Sequence, residues 1–162
     1  MKIAFVFPGQ GSQYVGMGKE IYEKIPEAKE IFKEASDALG YDLAGLCFNG
    51  PKEELDKTFR TQPCILTVSI AIYKVLLSRG IKPSVVAGHS LGEYSALVAA
   101  EVLLFGDAVK LTEKRGQFMQ EAVPEGRGLM AAVLGLERNK VDEICRLLKT
   151  GYGLAANYNC RG

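Results

Sequence analysis

Ser84-Val-Val-Ala-Gly-His-Ser-Leu-Gly-Glu-Tyr-Ser-Ala-Leu-Val98 is the stretch whose reading decides the fold. Ser84 to Ala87 has the composition of a short buried strand, and Leu91 to about Val102 that of a helix. Only Gly88-His89-Ser90-Leu91-Gly92 joins them. A strand-to-helix turn this tight needs glycine on both sides of the serine, because a side chain at either place would crowd the neighbouring strand or helix. Such a turn presents the serine hydroxyl at the C-terminal edge of a sheet, close to the positive end of the following helix. The N–H of Leu91 then lies where an oxyanion would form. Ser90 is thereby a candidate nucleophile for acyl transfer.

The chain on either side fits the same architecture. Lys2 to Phe7 predicts a first strand, closed by Pro8-Gly9 and followed by a loop carrying Gly9, Gly11, Gly16 and Gly18. Ile21 to Leu39 predicts two successive helices broken at Pro26. Gly50-Pro51 marks a turn before the charged segment Lys52 to Lys57. Gln62 to Arg79 is apolar almost all round and stops at Gly80, with Lys74 in its middle. It reads as a central buried helix rather than a membrane span. Asp107 is positioned to cap a helix running to about Ala122. Pro124 to Gly128 reads as a hinge, with a strand (Leu129 to Leu134), an amphipathic helix (Asn139 to Leu148) and a strand (Leu154 to Tyr158) beyond it. The alternation predicts an α/β fold with a parallel sheet, divided into residues 1–125 and 126–162.

Composition narrows the function classes. Of the 162 residues, 48% are apolar and 24% charged, the balance of an ordinary globular domain. A formal charge of +1 gives no general attraction to nucleic acid or an anionic membrane, so any anion recognition has to be local. Cys47, Cys64, Cys145 and Cys160 are scattered and lack metal-ligand spacing, which reads as four reduced thiols and a cytoplasmic protein. The run Ile3 to Phe7 is too short for a signal peptide.

Three further features bear on chemistry. His89 is the only histidine, but side chains adjacent on a sharp turn point apart. A structural or substrate-contacting role suits it better than that of general base. Gly9-Gln10-Gly11-Ser12-Gln13 follows the first strand yet fails the dinucleotide fingerprint, because Tyr14 stands in place of the third glycine. It reads either as a plain turn or as an oxyanion loop, in which close backbone approach or the Gln10 amide is the donor. On the helix running to about Ala122, Ala108, Leu111, Phe118, Met119 and Ala122 form an apolar stripe, and Arg115 falls on it. A guanidinium on a core-facing stripe requires an anion. It is either an internal salt bridge to Glu93 or Glu101, or a clamp on a substrate carboxylate.

Phe5-Val-Phe-Pro-Gly-Gln-Gly-Ser-Gln13, Thr61-Gln-Pro63, Gly88-His-Ser-Leu-Gly-Glu93, Arg115-Gly116 and Ala155-Ala-Asn-Tyr-Asn159 together resemble the malonyl-CoA:acyl-carrier-protein transacylase family. The resemblance covers the whole chain. It implies Ser90 as nucleophile, Leu91 and Gln10 at the oxyanion hole, and Arg115 on the malonyl carboxylate. Gln62, His89 and Met119 would line the pocket. It also implies an α/β-hydrolase-like core, incomplete here, with an inserted ferredoxin-like subdomain beginning near residue 126. Acyl carrier protein and malonyl-CoA would be the partners, with no cofactor, no metal, no nucleic acid and no membrane. The family's catalytic histidine lies further downstream, so the chain reads as an N-terminal portion with impaired transfer, exposed apolar faces and a tendency to associate. The alternatives are a generic serine hydrolase or thioesterase, which needs no Arg115, and a non-catalytic acyl- or carrier-protein-binding remnant.

Overall fold

A computed structural model describes residues 2–124 and 126–160. The chain divides into two compact units, Met1–Glu125 and Gly126–Gly162.

The first unit is an α/β layer with a small parallel sheet. Strand β1 (Ala4–Phe7) pairs with β2 (Val85–Gly88), register Ala4 to Val85 and Phe7 to Gly88. Side chains alternate across the pleat. Ala4, Val6, Val85 and Ala87 are exposed, whereas Phe5 and Phe7 turn inward and meet the Tyr73 ring edge-on at 6.1 and 6.3 Å. Helices α1 (Lys19–Lys24) and α2 (Pro26–Leu39) break at Pro26 as expected, with the proline at the first position of α2 where its missing N–H costs nothing. Ala28, Ile31, Phe32 and Ala35 form the buried stripe of α2, and Gly40 ends it at φ 74°.

Sequence reasoning did not find helix α3 (Leu43–Asn49), which Asp42 caps by accepting the Gly45 N–H at 2.8 Å. Phe48 of α3 joins Tyr22 and Phe32 in an aromatic cluster with ring centroids 4.9 to 5.5 Å apart. The charged segment after Pro51 is one helical turn, α4 (Lys52–Leu55).

Helix α5 (Thr58–Ser78) is the centre of the unit. It is long and apolar enough to cross a membrane by length and composition, and 67% of that stretch is buried inside the fold. It starts a turn earlier than expected and runs through Pro63. The first turn is secured where the proline cannot help: the Arg60 and Thr61 N–H groups both donate to Lys57 O at 2.8 Å, and Thr61 Oγ1 donates to Leu55 O at 2.6 Å.

Helices α6 (Gly92–Ala99) and α7 (Phe105–Ala122) complete the layer. Asp107 does not cap α7. Leu104 occupies the cap position and Asp107 lies in the first turn, where its charge still complements the helix dipole. Gly116 meets the backbone of Phe59 so closely that a Cβ there would overlap it, which allows α7 to lie directly against α5. Cys47 and Cys64 are buried in this core as free thiols, and the neighbouring Cys64 sulfur together with burial pushes the Cys47 thiol up, keeping it protonated.

Among its described residues the second unit has one helix, α8 (Arg138–Arg146), none of whose residues is buried. Among its described residues there is no strand: Leu129 to Leu134 and Leu154 to Tyr158, expected as strands, are irregular. Extended segments become strands only by pairing, and neither finds a partner. Tyr158 instead folds back on α8, donating its hydroxyl to Asp142 and lying under the Arg138 guanidinium, 3.9 Å from ring centroid to Cζ.

Candidate active site

The β2–α6 turn has the geometry its glycines require. A Cβ on Gly88 would overlap the carbonyl of Gly92, and a Cβ on Gly92 would overlap the carbonyl of Phe7 on β1. Ser90 itself has φ 52°, a left-handed conformation rare for a residue with a side chain and worth about 1–3 kcal/mol of strain. The His89 N–H extends the sheet by donating to Phe7 O at 3.2 Å, and His89 O then accepts from the Gly92 N–H at 2.9 Å. Ser90 and His89 are both exposed at this corner. No side chain caps α6, so the positive end of the helix opens beside Ser90.

The loop after β1 abuts the turn. A Cβ on Gly9 would come 2.7 Å from His89 O and 3.2 Å from His89 Nδ1, so only glycine permits this approach. Gly11 is left-handed at φ 106°. The Gln10 side chain points away from its expected use, with Nε2 donating to Thr58 Oγ1 at 3.1 Å. With that side chain tied to Thr58, close backbone approach is the other alternative that the sequence reading offered.

Arg115 reaches Ser90 from α7. Its Nη2 donates to Ser90 Oγ at 3.1 Å, its Nη1 donates to Gln62 Oε1 at 2.7 Å, and its Cζ lies 5.7 Å from the Tyr94 ring centroid. Gln62 is fully buried, and its Nε2 donates to Met119 Sδ at 3.3 Å. Apart from Ala108, the stripe containing Arg115 is not the core face of α7. Phe105, Ala108, Val109, Thr112 and Gly116 are buried, whereas Leu111, Phe118 and Met119 are exposed. Both sets recur at helical spacing, so periodicity alone could not rank them; the small residue Gly116 decides it by admitting α5. Neither Glu93 nor Glu101 pairs with Arg115, and among the described residues it forms no salt bridge. A guanidinium held by two neutral oxygens retains its charge for an incoming anion.

Leu111, Phe118, Met119, Tyr94 and Arg115 line a cleft of about 420 Å³. Met119 borders this cleft; Gln62 does not reach its surface and acts through Arg115 and Met119 instead. Tyr94 escaped sequence reasoning, although its place one helical turn after Ser90 was a usable signal. Among the described residues no group of His, Cys, Asp or Glu side chains could hold a metal ion.

The arrangement of an exposed serine on a strained strand-to-helix turn, a glycine loop against it and an arginine on its hydroxyl suits acyl transfer. Residues 4–150 match the family described as the acyl transferase domain. The malonyl CoA-acyl carrier protein transacylase of Bacillus subtilis is 52% identical over 163 aligned positions, covering 99% of this chain and 51% of that protein. The structure of the malonyl CoA-acyl carrier protein transacylase from Coxiella burnetii superposes with a TM-score of 0.86 at 53% identity, over 90% of this chain and 46% of that one. A malonyl-transacylase solved in complex with its type II PKS acyl-carrier protein superposes with a TM-score of 0.85 at 51% identity, over 90% and 48% of the two chains. The chain thus spans about half the length of the relatives it matches, and it belongs to the acyl transferase domain family.

Proposed function

We propose that this chain carries the nucleophile, oxyanion and carboxylate-binding parts of a malonyl-CoA:acyl-carrier-protein S-malonyltransferase of fatty-acid biosynthesis. The observation that carries the reading is the contact of Arg115 Nη2 with Ser90 Oγ at 3.1 Å, with no carboxylate of the described residues on the guanidinium. In a malonyl thioester about 2.5 Å separates the carboxylate carbon from the thioester carbonyl carbon across one methylene. An acyl group anchored on Arg115 by its carboxylate therefore brings its carbonyl within reach of Ser90. A plain hydrolase or thioesterase has no use for a cation there.

Ser90 Oγ attacks the thioester carbonyl, and the N–H groups of Leu91 and Gln10 take the oxyanion. The carbon–sulfur bond breaks, CoA leaves as its thiol with the serine proton, and malonyl remains as an ester on Ser90. The pantetheine thiol of acyl carrier protein attacks that ester, and the proton returns to Ser90. Malonyl-CoA and the carrier protein are both substrates, and the reaction calls for no cofactor. Met119 and Tyr94 border the acyl cleft, His89 contacts the substrate beside the nucleophile, and a histidine other than His89 serves as base. The core is α/β-hydrolase-like, residues from 126 onward open a ferredoxin-like subdomain, and the protein works in the cytoplasm.

The test is intact-mass and peptide mass spectrometry after exposure to malonyl-CoA. Slow accumulation of a malonyl ester on Ser90 supports the reading. The ester should vanish with malonyl-CoA but persist with acetyl-CoA in Arg115→Ala. Protein that stays unmodified, or equal loss of both acylations, would overturn it.

A further inference from the structure

Gln13, which the reaction scheme leaves without a task, makes two bonds that no other residue of its loop combines. Its Oε1 accepts the Gly11 N–H at 2.8 Å, and its Nε2 donates to Asp56 Oδ1 at 2.9 Å. The amide can face only this way, because reversing it would set an oxygen against the Asp56 carboxylate and a donor against the Gly11 N–H. Asp56 closes α4, and Lys52 of the same helix pairs with its other oxygen. Hydrogen bonds from Gln13 and Lys52 hold the Asp56 carboxyl below the ordinary carboxylate range, so it remains a charged and therefore strong acceptor.

The loop needs such an anchor. Two glycines, one of them left-handed, leave its backbone the most freedom to lose on ordering. Ser12 Oγ donates to Gly9 O at 2.9 Å, which braces the loop only against itself. The side-chain ties from residues 9–13 to the helices are Gln10 to Thr58 and Gln13 to Asp56, and the second alone also grips the loop's own backbone. An oxyanion donor is effective to the extent that it is fixed before charge develops. We propose that Gln13 is a positioning residue of the acyl-transfer step, locking the Gly9–Gln13 loop to Asp56 so that the Gln10 N–H stands ready beside Ser90. This rests on the acyl-transfer reading and on Gln10 acting through its backbone.

Three variants of the chain separate the outcomes: Gln13→Ala, Gln13→Glu, and Gln13→Glu combined with Asp56→Asn. The first loses both bonds. The second keeps the acceptor for Gly11 but sets two carboxylates face to face. The third restores the tie with its direction reversed, since the new amide at position 56 can donate to the new carboxylate at position 13. Two measurements are made, hydrogen exchange over residues 8–17 and the rate of malonyl ester formation on Ser90 against malonyl-CoA concentration. Gln13→Ala and Gln13→Glu should exchange faster in the loop alone. Their maximal acylation rate should fall by about 10- to 100-fold at an unchanged half-saturating concentration. The double variant should recover most of both. Unchanged loop exchange in Gln13→Ala overturns the anchor, and unchanged maximal rate, or a change confined to half-saturation, overturns its role in catalysis. If even the parent chain forms no ester while the exchange results hold, the acyl-transfer reading fails and the positioning role falls with it.

Discussion

The two units use similar amino acids to opposite effect. In Met1–Glu125 the apolar residues of α5 meet α2, α6 and α7, and Leu66 and Ile70 are completely buried. In Gly126–Gly162 Leu129 is 92% exposed, Leu134 80% exposed, and α8 buries nothing despite alternating apolar and charged residues. Hydrophobicity at the right period is only an offer of burial. The offer is taken up where a second layer exists, and the first unit has one because Gly88, Gly92 and Gly116 let backbones approach closely. Among its own described residues the second unit has amphipathic pieces but no second layer.

The largest expected effect breaks the first unit at its tightest point. Gly92→Val should cost more than about 4 kcal/mol, removing the cooperative urea melt of residues 2–124, because the new side chain collides with β1. Exchange over residues 126–160 should stay as it was; retained cooperativity would show that the turn relaxes cheaply. Next, Leu66→Ala should lower stability by about 2–5 kcal/mol in the same melt. Leu134→Ala should stay within about 0.5 kcal/mol, as exposed positions do. Equal costs would mean that the second unit has a core after all.

A smaller and opposite effect is expected at Ser95, whose hydroxyl is buried in α6 without a hydrogen-bond partner. Ser95→Ala should be neutral or stabilising by up to about 1 kcal/mol, since an unsatisfied hydroxyl is removed; a clear loss would reveal a hidden partner. The smallest effect is on pH. Asp56 is lowered by bonds from Gln13 and Lys52, and Glu54 by its bond from Lys57. Folded values below the ordinary 3.8 and 4.5 add stability that is present above those values. It is lost as pH falls through the lowered ones. A melt series from about pH 5 downward should show a shallow decline that added salt flattens.

Much of this was legible in the sequence where local chemistry decides the outcome. The strand-turn-helix at Ser90, the break at Pro26 and the stop at Gly80 follow from steric rules acting over a few residues. The start of α5 was not legible, because a helix running through Pro63 is stabilised by Lys57 and Leu55 carbonyls that pattern alone does not reveal. Arg115 was found for a partly mistaken reason. Its stripe looked like core, and only the packing of Gly116 against α5 shows that the stripe faces a cleft. The partners of Gln10 and Gln13, Thr58 and Asp56, lie more than forty residues away and left no local trace.

Gly116 carries a consequence for how this site can change. Its contact with Phe59 sets the height at which α7 rides on α5, and its neighbour in the chain is the arginine that touches Ser90. Any side chain at 116 would lift the helix and draw the guanidinium off the serine without altering a single group that lines the cleft. Residues 115 and 116 are therefore coupled: a change at the silent position would be read out as a change in the distance between the guanidinium and the serine hydroxyl.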